Sequence, residues 1–154
     1  MFNQLFPQRI DNTYPGHKLA LWLFGLIVLI KTAMGVNSIF FGHKIATSAD
    51  GIPLDTFPLA AAGTIIAMFA IWGLAHLMIC LLCVLVLFRY RAMVPLMFAF
   101  LLLEHLSRKL VLYFIPIARS GTPPGTYVNL TLVAVMVLGL ALSLSGKKDL
   151  QPTP

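Results

Sequence analysis

The sequence predicts an all-α integral membrane protein, four transmembrane helices in an up-down-up-down antiparallel bundle. Three observations predict it. Of 154 residues, 59% are hydrophobic and 10% charged, where a soluble domain carries about 25% charged residues. The apolar residues fall in continuous runs rather than in the roughly ten-residue alternation of barrel strands. Each run approaches the roughly 20 residues that a helix needs to cross the hydrocarbon layer.

The elements follow in order. Residues 1–18 form a cytoplasmic or interfacial segment, with Phe2, Leu5, Phe6 and Ile10 at near-helical spacing before Pro15 and Gly16. The first span runs from Leu19 to Phe41. It contains Lys31 and lacks a small-residue cleavage pattern after it, so it reads as a span and not as a signal peptide. An outer loop, residues 42–58, is long for a bundle connection. In it Asp50-Gly51 and Ile52-Pro53 read as a turn, and Asp55 or Thr56 as the cap of the second span. That span, Leu59 to Phe88, exceeds the bilayer's need and is expected to tilt or protrude. The third runs from Ala92 to Ile117 and is interrupted by charge. Ser120 to Gly125 reads as a rigid turn, Tyr127 to Ser145 as the fourth span, and residues 146–154 as a cytoplasmic tail. The four spans together make one transmembrane domain, residues 19–145.

Orientation follows from the flanking cations. Arg9, Lys18, Arg89, Arg91, Lys147 and Lys148 stand at one set of span ends, and only Lys44 and Arg119 at the other. The positive-inside rule places both termini and the Arg89–Arg91 turn in the cytoplasm. A four-span layout of this kind is shared with several small bacterial membrane families, in topology alone, and implies the bacterial inner membrane. The net charge of +6 therefore reports orientation. Scattered around apolar runs with no basic block, it does not point to nucleic acid.

Depth arithmetic brings out a polar layer. Lys31 lies 13 residues beyond Lys18, His76 lies 12 before Phe88, and Glu104 and His105 lie 12 and 13 beyond Ala92. At 1.5 Å per residue, all four sit roughly 18–20 Å from the cytoplasmic edge. Ionised groups at mid-membrane cost about 2.5–3.5 kcal/mol each on insertion scales, so these should converge between spans one, two and three. Glu104 and Arg108 are four apart and can pair along one face, with His105 and Lys109 on the neighbouring face, and Lys31 can reach Glu104 across the bundle or snorkel into a wet cavity. His76 shares its face with Trp72, Gly73, Cys80 and Cys83.

Lys31, His76, Glu104, His105 and Arg108 are thus the candidate ligand-binding set. The excess of cations over Glu104 calls for water, a neutral lysine or an anionic partner. The leading expectation is a membrane bundle that binds an amphiphilic or anionic ligand, a quinone, an isoprenoid or a lipid. His76 or Glu104 would serve as general base and Lys31 or Arg108 as anion stabiliser if chemistry follows. A structural polar network that only fixes helix register is the plain alternative. So is an accessory or assembly subunit of a larger membrane complex, docking through the apolar fourth span. An oligomeric transporter or channel, or a bis-His haem b protein ligated by His76 and His105, completes the set. Partners are then membrane lipids and a second copy or a host complex. Cys80 and Cys83, mid-helix and apolar in setting, read as inert small residues rather than a redox or metal pair. Asn37, Ser38 and Asn129 read as lining an outer vestibule or bonding between helices. A loop folded over the bundle mouth would bring Asp50 and Asp55 to the site.

Overall fold

The computed structural model describes residues 5–7, 10–14 and 16–145. Among these there is no strand. Four long helices dominate: α1 (Lys18–Phe40), α2 (Leu59–Arg89), α3 (Val94–Phe114) and α4 (Pro124–Leu144). Three of them, α1, α2 and α4, are long and apolar enough to cross a membrane, which marks an integral membrane protein. α3 falls outside that class because every 18-residue stretch of it carries Glu104, Arg108 and Lys109. The tail residues Lys147 and Lys148, and Phe2 and Arg9 near the start, lie outside the described residues.

Helix ends follow local chemistry and correct several expected boundaries. α4 begins at Pro124, not Tyr127. A proline in the first turn has no N–H to leave unbonded and already holds the helical φ, so the expected rigid turn gives up Pro124 and Gly125 to the helix. α3 ends at Phe114, not Ile117, because Ile115 precedes Pro116 and is pushed to φ −125°, ψ 79°. Its start moves from Ala92 to Val94, since Arg91–Met93 form a 3-10 turn. Neither Asp55 nor Thr56 caps α2. Leu54–Thr56 make their own 3-10 turn, Thr56 Oγ1 donates to the Pro53 carbonyl at 2.8 Å, and Pro58 precedes the helix without a side-chain cap.

Each long helix buries one stripe at three- and four-residue spacing, the period of an inward face. On α1 it is Ala20, Phe24, Ile27, Lys31, Gly35 and Ser38. On α2 it is Gly73, His76, Cys80, Cys83 and Val86, the face that the sequence spacing grouped around His76. α4 contributes Leu132, Met136, Gly139 and Ser143. The opposite faces carry exposed Trp22, Leu29, Ile71, Leu81, Leu103 and Leu130. An apolar belt on every helix is what a lipid solvent favours.

α1 packs most broadly on α2, then on α4, and α3 packs chiefly on α4. α2 and α3, though joined by the Tyr90–Met93 turn, touch over a much shorter length. α1 and α2 approach closely at Gly35 and Gly73, where a Cβ on Gly73 would lie 2.8 Å from the Gly35 carbonyl oxygen. Small residues permit such crossings where lipid tails give no hydrophobic drive for helix association. Near the Tyr90–Met93 turn the interior is filled with side chains, among them Phe24 and Phe98 edge to face at 5.1 Å. At the same end Tyr14 donates to Ser143 Oγ at 3.0 Å, and the Ala92 amide donates to the Asp11 carbonyl at 3.3 Å. Burial raises the Tyr14 hydroxyl above the usual phenol range, although Ser143 opposes it.

At the other end, residues 42–58 are not irregular. Gly42–Lys44 and a π-helical turn, Ile45–Ala49, fold back so that Ala46, Ile52 and Leu54 pack on Ile65, Ile66 and Phe69 of α2. Gly51, at φ +71°, accepts a 2.8 Å bond at its carbonyl from the Ser120 amide, stitching the two loops of this end together.

Candidate functional site

The buried stripe of α1 carries Lys31 inward with 2% of its surface exposed. Its Nζ lies 3.3 Å from Glu104 Oε2 on α3 and 3.4 Å from His76 Nε2 on α2. An ammonium only donates, so with Lys31 charged His76 accepts at Nε2 and holds its own proton on Nδ1. Three helices thus meet in a Lys31–Glu104–His76 cluster, and Glu104 keeps 20% of its side chain exposed.

A second cluster lies beside it. Arg108 Nη2 is 3.3 Å from both His105 Nδ1 and Asn129 Oδ1, and Cζ stands 4.8 Å over the Trp72 ring. The guanidinium also only donates, so neutral His105 carries its proton on Nε2, a buried atom for which the structure gives no hydrogen-bond partner. Trp72 in turn stands edge to face with His76 at 6.2 Å, joining the two clusters.

Of the two pairings that the sequence leaves open to Glu104, the structure holds the one across the bundle with Lys31, and not the one along its own helix with Arg108. Two other readings are corrected. α4 is not a bystander, because Asn129 binds Arg108. Lys109 is exposed while its expected companion His105 is fully buried, so Lys109 stands outside the layer.

Above the layer, toward residues 42–58, opens a cavity of about 550 Å³. His76 and Arg108 line it; Lys31, Glu104 and His105 do not. The two histidines therefore share no wall of it. Its sides are largely apolar, with Met34, Ile52, Phe69, Trp72, Ile117 and Val128. Asn37, Ser38 and Asn129 line it, as their place near one end of the helices suggested, and Asp50 and Arg119 belong to its wall. Asp55 is exposed in its 3-10 turn instead. Burial holds the Asp50 carboxyl above the usual carboxylate range, with Arg119 and Arg108 pulling the other way.

The loop folds over this end as one reading of the sequence had it, bringing Asp50 but not Asp55 to the wall. Sequence spacing missed Arg119 and gave Trp72 no role beyond sharing the His76 face. Cys80 and Cys83 are free and buried, and among the described residues no three metal-ligating side chains cluster. No protein-family model, curated protein or solved structure matches the chain.

Proposed function

We propose that the chain is a four-span, up-down-up-down bundle of the bacterial inner membrane, termini inside, that binds an amphiphilic ligand in the cavity between its polar layer and residues 42–58. One observation carries this reading: a void of about 550 Å³ with apolar sides and Arg108 and His76 among its lining residues. Ligand sites are of this size and make-up, mostly apolar with a few polar groups that fix orientation. A network serving only helix register has no need of a void beside its cations, since unfilled space forfeits dispersion contacts on every wall.

The same placement supports reading α3 as the remaining span. Its charged residues turn to partners within the bundle, Glu104 to Lys31 and Arg108 to His105 and Asn129, which lowers the penalty that its composition alone would carry. α3 is 21 residues long, or about 31 Å, matching the hydrocarbon layer.

The test is retention. Protein extracted from its membrane into nanodiscs is to be analysed by lipid mass spectrometry and visible absorption, beside Val128→Trp. That change fills the cavity from a wall residue that is half exposed. The wild type is expected to retain an amphiphile in near-stoichiometric amount and the filled variant to lose it. Identical retention by both would exclude the cavity as the site.

A further inference from the structure

Arg108 lines the cavity with no carboxylate within 4.0 Å among the described residues. Lys31 has Glu104. Asp50 stands beside the first turn of α4, its Oδ1 3.6 Å from where a Gly125 Cβ would be, and it feels Arg119 first and Arg108 after it. Helix N-termini carry partial positive charge, so that carboxylate is met locally. Arg108 has only neutral acceptors, His105 and Asn129, and both are served by Nη2. A guanidinium presents five N–H donors in a planar fork. With Nη2 engaged and Trp72 under the plane, the Nε and Nη1 donors remain on a residue that lines the cavity.

The layer also holds this fork still. His105 and Asn129 pin one nitrogen from two helices, and the Trp72 face fixes the plane. Nη2 belongs to both bidentate edges of a guanidinium, so with it engaged the donors on Nε and Nη1 point apart and an oxyanion meets one of them in a single charge-assisted hydrogen bond. Charge arithmetic then sets the valence. Lys31, Arg108 and Arg119 stand against Glu104 and Asp50, which leaves the site at +1. A monoanion closes the site to neutrality. A neutral head leaves the guanidinium uncompensated, and a zwitterion leaves the sum unchanged. A cavity of this size takes one chain or a small ring system, whereas a second acyl chain would lie outside it.

Resting on the reading of the cavity as an amphiphile site, we propose that its ligand is a single-chain lipid with a carboxylate head. Arg108 donates to the carboxylate from Nη1, and the chain lies along Ile52, Phe69, Ile117 and Val128. Asp50, of like sign, stands at the loop end of the cavity and turns the head toward Arg108.

The protein has two tryptophans, which makes the test local. Trp22 is 79% exposed on the outer face of α1, whereas Trp72 lines the cavity. In a Trp22→Phe background in nanodiscs, Trp72 emission is to be titrated with dibromostearate, whose bromines quench on contact. Its methyl ester, a short-chain quinone and a dibrominated phosphatidylglycerol are run beside it. Saturable quenching by the acid is expected, at least about tenfold tighter than by the ester, the measure of a charge-assisted hydrogen bond. Arg108→Gln, which keeps a planar N–H donor and loses the charge, should weaken the acid about tenfold and leave the ester unchanged. Equal binding of acid and ester, or saturable quenching by the quinone or the phospholipid alone, would overturn the carboxylate assignment and leave the amphiphile site standing. No saturable quenching by any of the four would overturn both.

Discussion

At the scale of single residues, the Lys31–Glu104 pair sets the sharpest expectation. Glu104→Gln leaves a 2% exposed ammonium with His76 as its remaining contact. Stranding a buried charge in this way costs about 3–5 kcal/mol. Lys31→Met instead strands a carboxylate that already reaches its surroundings at 20% exposure, so its loss should be the smaller. Detergent melting temperatures of the two variants check the order, and equal, negligible shifts would mean that both charges are solvated. Asp50 makes a second expectation. Its carboxyl is raised by burial, so protonation favours the folded state. That stability is present below the ordinary carboxylate pKa and is lost as pH rises through the raised one. Asp50→Asn should therefore melt higher than wild type at neutral pH, with the gap closing toward about pH 4. A gap that does not change with pH would show that Asp50 is not desolvated. Lys31, His76, Glu104 and His105 were legible because depth follows from counting residues along straight helices. Arg119 was not, since its place depends on how the second loop of that end folds back, and counting says nothing about that.

At the scale of helices, periodicity located the elements and the inward face of α2. Their ends were set by Pro116, Pro124 and the 3-10 turns, local chemistry that hydropathy does not register. Which helices would cross most closely was not legible either, because a glycine in the sequence does not say whether it meets a neighbouring helix. α2 holds both kinds. A Cβ on Gly73 meets the Gly35 carbonyl oxygen at 2.8 Å, whereas one on Gly63 meets nothing within 4 Å. Gly73→Ala must push α1 and α2 apart and should destabilise by about 1–3 kcal/mol. Gly63→Ala should be neutral or gain up to about 1 kcal/mol from helix propensity. Thermal melting of the two variants separates close crossing from mere smallness, and equal effects would refute the tight contact.

For the molecule as a whole, the proposed orientation predicts reporter fusions that read cytoplasmic within Arg89–Arg91 and after Lys148, and external near Ala49 and Gly121. An external reading after Lys148 would refute the four-span topology. The fold class was legible from composition because 59% apolar residues leave water no adequate surface to wet. The cavity was not, since a void is a property of how helices fail to meet. That failure has a place. α2 and α3 touch over a much shorter length than α1 and α2 do, while the two loops of the opposite end are bonded to each other through Gly51 and Ser120. An amphiphile of the kind proposed comes to the cavity from the acyl chains of the bilayer. Occupancy in that arrangement follows a molecule's mole fraction in the bilayer and is indifferent to its concentration in water. The protein would sample the composition of its own membrane.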